Sequence, residues 1–133
     1  MLTIPNRRRL AQKCLTHLER DLEALNTSRF EENRLFAQAV GEILATARSW
    51  YRDYHAGQLS RFQIAGQRPV IEAQLLAVLN NPPEKGWPAD AQRLANRIQR
   101  YWIEWFTFLD YPEVKPDNND AERAIVRWSC IGK

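Results

Sequence analysis

The sequence predicts an all-α fold: a long antiparallel helical pair with two or three shorter helices. Three observations carry this. Apolar residues recur at spacings of three and four along most of the chain, the pattern of helices that each bury one stripe. No segment alternates apolar and polar residues well enough to read as a strand within a sheet. Proline-rich stretches separate the periodic segments instead of interrupting them.

The first helix is expected from about Asn6 to Leu25, with Leu10, Cys14, Leu18, Leu22 and Leu25 on one stripe. Pro5 fits its entry and Asn26-Thr27-Ser28 its exit. A second helix is expected from Ser28, because Ser28 and Glu31 are spaced as a capping box. Phe36, Val40, Ile43, Ala47, Trp50 and Tyr54 then hold a period near 3.5, which favours long antiparallel packing on the first helix. Gly57 is placed to stop it. Leu59 to Arg68 reads as a short helix or a turn. Pro69 is suited to open a third helix whose inner side carries Val70, Ile71, Gln74, Leu75, Val78 and Leu79. Asn80 to Pro88, with its prolines and Gly86, is a loop. A fourth helix is expected from about Ala89 to Phe106, with Leu94, Ile98, Tyr101, Trp102 and Trp105 on its apolar face and Arg93, Arg97 and Arg100 on a neighbouring one. Phe106 to Leu109 is open to an extended reading. A proline-punctuated loop follows from Asp110 to Asp117, and Asp120 to Trp128 looks helical.

The bulk numbers bound the possibilities. A length of 133 residues suits one domain or a part of a larger one. An apolar share of 44% with 26% charged residues excludes a disordered chain. No apolar run is long enough to span a bilayer, and Met1 to Pro5 is no signal peptide. Cys14 and Cys130 are far apart in sequence and read as free thiols of a cytoplasmic protein. A net charge of +3 is only a weak bias towards nucleic acid. Five tryptophans need burial, in this chain or against a partner.

The most specific segment runs Phe106-Thr107-Phe108-Leu109-Asp110-Tyr111-Pro112-Glu113-Val114-Lys115-Pro116-Asp117-Asn118-Asn119-Asp120-Ala121-Glu122-Arg123-Ala124. It resembles the C-terminal signature of DDE transposases, notably the family of insertion sequence sixty-six, in which a phrase of the type F-L-x-x-P-x-V-x-P-x-N-N-x-A-E-R announces the last catalytic glutamate. Gln12-Lys13-Cys14-Leu15-Thr16-His17-Leu18-Glu19-Arg20-Asp21-Leu22 is similar to the family's C-x-x-H-L-x-R-D stretch, which follows the second catalytic aspartate. The resemblance implies that residues 1–106 form the helical insertion between the second and third acids of an RNase H-like enzyme. Residues 107–133 then form the loop and terminal helix bearing the third acid.

The chemistry so implied is metal-dependent DNA cleavage and strand transfer, in which two divalent ions clamp the attacking and leaving oxygens. Mg²⁺ prefers oxygen ligands and takes few from protein. Glu122 is the implied catalytic, metal-ligating residue. From the residues alone, Asn119 and Glu122 equally read as N-cap and N3 of a capping box. Arg123 either reaches phosphate or pairs with an acid. Arg93, Arg97 and Arg100, together with Arg7-Arg8-Arg9, are the candidate DNA contacts, set against the ordinary reading of basic clusters as solvated faces. Cys14 and His17 share a helix face. They read as a buried small hydrophobe and a residue near the active site, or, with His55 and Cys130, as ligands of a zinc ion.

The resemblance also has gaps. Met1 to Asn6 contains no acid to serve as the second aspartate, no candidate for the first is found, Val126 stands where an arginine is expected, and the final pair is Gly132-Lys133. The chain is therefore expected to be part of a transposase, whether an excised piece, a truncated gene or a remnant, and inactive alone. An apolar helix face belonging to the absent sheet would stand exposed. Its expected partners are DNA and the rest of a transposase, with no membrane and with an oligomer possible. The alternative is a non-catalytic helical module that binds DNA or a full-length transposase.

Overall fold

The computed structural model describes residues 11–117. They form α1 (Leu15–Asn26), α2 (Glu31–His55), α3 (Arg61–Leu79), α4 (Ala89–Arg100), a 3₁₀ turn (Trp102–Glu104) and α5 (Thr107–Asp110). Among the described residues there is no strand, so the all-α expectation holds. No helix among them is long and apolar enough to cross a membrane.

α1 and α2 make the expected antiparallel pair. Arg48 reaches Glu19 while Gln38 reaches Asn26, so residue numbers run in opposite directions along the seam. Leu15, Leu18, Leu22 and Leu25 of α1 pack on Phe36, Val40, Leu44 and Ala47 of α2 in one core. That core continues through Ile64, Ile71 and Leu75 of α3, Ile98 of α4, and Phe106, Phe108 and Leu109. Trp50, Tyr51 and Tyr54 lie at its edge, half-buried.

Several boundaries differ from the sequence expectation, each for a physical reason. Ala11 to Cys14 are not helical, and α1 starts at Leu15. Long-range bonds hold this segment open. Lys13 N donates to Glu104 O at 2.8 Å, and Thr107 Oγ1 donates to Ala11 O at 2.7 Å. The buried Gln12 amide donates to Trp105 O at 2.7 Å and accepts from Phe108 N at 2.9 Å. These bonds outweigh the local preference for a helix.

α2 begins at Glu31 and not at Ser28. The Ser28 hydroxyl accepts from Phe30 N and Asn33 Nδ2, so the expected capping box does not form. Glu31 and Glu32 instead place negative charge at the positive end of the helix. At the other end Gly57 adopts φ +83°, the left-handed conformation that stops the helix as expected.

The largest correction concerns α3. Pro69 lies inside it, because Ser60 and Gln63 form a complete capping box that starts the helix eight residues earlier than Pro69. Ile64, Ile71, Leu75 and Leu79 are buried, but Val70 and Gln74 face outwards. α4 ends at Arg100 and not near Phe106. The Trp105 indole donates to Ile98 O at 2.9 Å, folding the chain back over the end of α4. Thr107 to Leu109, open to an extended reading, form a helical turn.

Candidate functional site

Two stretches from the far end of the described chain converge on the start of α1. The first is the loop that follows α5. Phe108, Leu109, Pro112, Val114 and Pro116 are all buried. The residues between them, Asp110, Tyr111, Glu113, Lys115 and Asp117, are exposed or half-exposed. The letters that spell the described part of the signature phrase are therefore packing residues that fix the path of the loop.

Arginines staple the loop from outside. Arg68 pairs with Asp110 at 2.8 Å, Arg61 with Glu113 at 2.5 Å, and Arg48 with Asp117 at 2.5 Å. A ring nitrogen of His55 lies 3.0 Å from Pro112 O. Arg61 holds the Glu113 carboxyl below the usual carboxylate range, although the pair is largely exposed.

The loop ends against the first turn of α1. Leu15 N donates to Pro116 O at 3.0 Å, the Cys14 thiol to Asp117 O at 2.8 Å, and the Thr16 hydroxyl to Asp117 Oδ1 at 2.7 Å. An otherwise unpaired amide at the helix start is satisfied, and an acid sits at its positive end. Burial pushes the Asp117 carboxyl up, but hydrogen bonds from Arg48 and Thr16 outweigh it, leaving the group below its ordinary value. Arg48 also grips Glu19 through two bonds, at 2.8 and 2.9 Å. The hydrogen bond to Glu19 is the main reason that its guanidinium holds its proton more tightly than usual.

The second stretch is α4. A groove of about 760 Å³ opens between it and the start of α1. His17, Arg20 and Asp21 line it from α1, with Lys13 just before, and Arg97 and Arg100 line it from α4, with Tyr101 and Trp105 behind. Within the C-x-x-H-L-x-R-D stretch, Cys14 and Leu18 are buried, whereas the polar residues His17, Arg20 and Asp21 all face this groove. Arg97 bridges it to Asp21 at 2.7 Å. Among the described residues, His17 and Arg20 make no hydrogen bond or ion pair. Lys13 Nζ lies 3.9 Å above the Tyr101 ring and the Arg100 guanidinium 5.5 Å from it. Two cations thus lie against this ring.

Four basic side chains and a histidine against one acid make this an anion-receptive surface. Of the three arginines singled out on α4, Arg97 and Arg100 share the groove with His17. Arg93 lines a neighbouring groove of about 530 Å³ with Ser28 and Leu94, and it pairs with Asp90. Asn119, Glu122, Arg123 and Cys130 lie outside the described residues, as does the helix expected from Asp120 to Trp128.

The described carboxylates do not build a metal centre. Among the described residues no group of three His, Cys, Asp or Glu side chains is arranged to hold an ion. Glu19, Asp21, Asp110 and Asp117 each already face an arginine. Cys14 and His55 bond to different parts of the loop, at Asp117 and Pro112.

Sequence reasoning missed Arg48, Gln12 and Asp117. Arg48 carries no local signal, because its partners are 29 and 69 positions away. Gln12 lies in the family-like stretch but outside its fixed letters, and reads as an ordinary polar residue until its burial is known.

The model of the family described as "Transposase IS66 family" matches residues 3–133. No curated protein and no solved structure gives a significant match. The match takes in both the segment that opens α1 and the loop that closes on it, and the chain belongs to the IS66 family of transposases.

Proposed function

We propose that this chain supplies the helical insertion and the third metal-binding acid of a DDE-type DNA transposase, and that the α1–α4 groove carries the DNA backbone. The supporting observation is the convergence of His17, Arg20, Arg97 and Arg100 on one open groove, beside the anchored end of the signature loop. Base readout is disfavoured there, because two cations lie against the Tyr101 ring and Trp105 is buried. Phosphate contact gives binding that is sequence-tolerant and steeply salt-dependent.

On this reading Glu122 is a ligand of Mg²⁺, with two further carboxylates coming from an RNase H-like sheet. The described residues enter the chemistry only by position: the Asp117 anchor fixes where the chain departs towards Glu122. The chain alone then does not cleave or join DNA, because one acid does not make a two-metal site.

The test joins the chain to the strand-bearing part of a close relative and compares Glu122→Gln with Glu113→Gln. Glutamine keeps a side-chain oxygen able to accept a capping hydrogen bond, and circular dichroism checks that the fold survives. The expected result is loss of strand transfer with DNA binding retained. Glu113→Gln loses only an exposed pair with Arg61 and stays near full activity. Equal activity of the two variants would remove the assignment of Glu122.

A further inference from the structure

α1 does not cap itself. Cys14 stands at its N-cap, the Cys14 side chain makes no capping bond, and the first turn contains no acid of its own. A helix start of this kind frays unless other groups accept from its amides and place negative charge at its positive end. Both are supplied by the end of the signature loop. Pro116 O accepts from Leu15 N, and the Asp117 carboxylate accepts from the Thr16 hydroxyl. Cys14 holds Asp117 by its carbonyl and Arg48 by its carboxylate. Arg48 also ties in Glu19, one turn further along α1.

The same turn serves the groove. Thr16 bonds to the loop, whereas His17, the next residue, and Arg20, almost a turn later, line the groove between α1 and α4. Lys13, just before the helix, lines it as well. The opposite wall needs no such help, because Leu94, Ala95 and Ile98 seat α4 in the core. One wall of the groove is therefore built on a turn that the loop completes.

We infer that the end of the signature loop and the α1–α4 groove are coupled through the first turn of α1: a DNA backbone in the groove tightens the loop's hold at Asp117, and that hold sets how tightly the groove binds. The inference rests on the reading of the groove as a site for the DNA backbone. The turn is the two-state element, either helical and capped by the loop or frayed. A backbone that contacts His17 and Arg20 together with Arg97 and Arg100 favours the capped state, because only there do the two walls face each other in fixed register. Linkage makes the effect reciprocal. The chain leading on from Asp117 towards Glu122 is then held most firmly when the substrate is present.

Charge and coupling predict opposite signs for one substitution. Asp117→Ala removes an acid, so a groove that acts by charge alone binds a polyanion as tightly as before or more tightly. Coupling requires weaker binding.

Duplex binding by the full chain at fixed low salt, read by fluorescence anisotropy, tests this. Asp117→Ala should weaken binding about five-fold, at the low end of usual coupling strengths. Thr16→Val, which changes no charge, should weaken it in the same direction. Glu113→Gln, which removes an acid from the same loop but pairs with Arg61 on α3, should not weaken it. Hydrogen exchange on the unsubstituted chain gives the reciprocal result and stands even if a variant fails to fold. Saturating duplex should slow the Leu15 amide about five-fold, while the Asn80 amide at the end of α3, bonded to Leu76 O, keeps its rate. A folded Asp117→Ala that binds as tightly as the parent chain, or a Leu15 amide that duplex does not slow, overturns the coupling. If Arg20→Gln and Arg100→Gln still weaken binding in that case, the groove reading stands without it. If those two leave binding unchanged, the groove reading falls and the coupling falls with it.

Discussion

Replacing Arg48 with methionine removes the charge that joins α1, α2 and the signature loop while keeping most of the packing stem. The guanidinium makes two bonds to Glu19 and one to Asp117, and it is 21% exposed, against 34% and 40% for the two acids. An exposed pair contributes about 0.2–1 kcal/mol, whereas stripping one partner from a fully buried pair costs about 3–5 kcal/mol. The intermediate exposure and the two acids left behind put Arg48→Met at about 2 kcal/mol. For a chain of this size that lowers Tm by about 6–8 °C. Urea titration measures the loss, and a cycle with Asp117→Asn isolates the loop contact, expected to couple by about 1 kcal/mol. Hydrogen exchange gives a local readout: the Leu15 amide, bonded to Pro116 O, should lose protection before the amides of α3 do. The pH dependence follows from the depressed Asp117 carboxyl. Its contribution is complete above the unfolded-state value near 4 and is lost as pH falls through the lower folded value. The deficit of Arg48→Met is thus full at neutral pH and shrinks in acid. A stability change under about 0.5 kcal/mol, or zero coupling to Asp117, would refute the idea that this contact anchors the loop.

Gln12→Ala should cost about 2–4 kcal/mol by thermal or chemical denaturation, because it leaves the Trp105 carbonyl and Phe108 amide unpaired in a buried site. Glu104 is held above its ordinary value by burial, with Lys13 opposing. Its charge therefore opposes folding at neutral pH, so Glu104→Gln should raise Tm there and lose that advantage below the carboxylate range. In salt titrations of duplex binding, Arg20→Gln and Arg100→Gln should each lower the slope by about 1 if each contacts one phosphate. Lys85→Gln, away from the groove, should leave the slope unchanged, and an equal fall at all three positions would assign the binding to net charge.

The helical class, the α1–α2 pair, the stop at Gly57, the loop before Ala89 and the family were legible in the sequence, because each is written in residues close together in the chain. Periodicity reports which face of a helix is apolar, and a long signature phrase reports descent. Neither reports which distant residue answers a polar group. The opening of Ala11 to Cys14 and the end of α4 at Arg100 were set by bonds that competed with local pattern and won, whereas the start of α3 at Arg61 follows the local Ser60–Gln63 capping box, which outranked Pro69 as the start signal. The candidate site divides the same way. His17, Arg97 and Arg100 were visible as residue types at helical spacing, but that they share a groove, that Arg93 stands apart from it, and that Asp117 is gripped by Cys14, Thr16 and Arg48 were decided by tertiary structure. Here the fold brought Arg48 from 69 residues away, a distance over which the sequence carries no periodic signal.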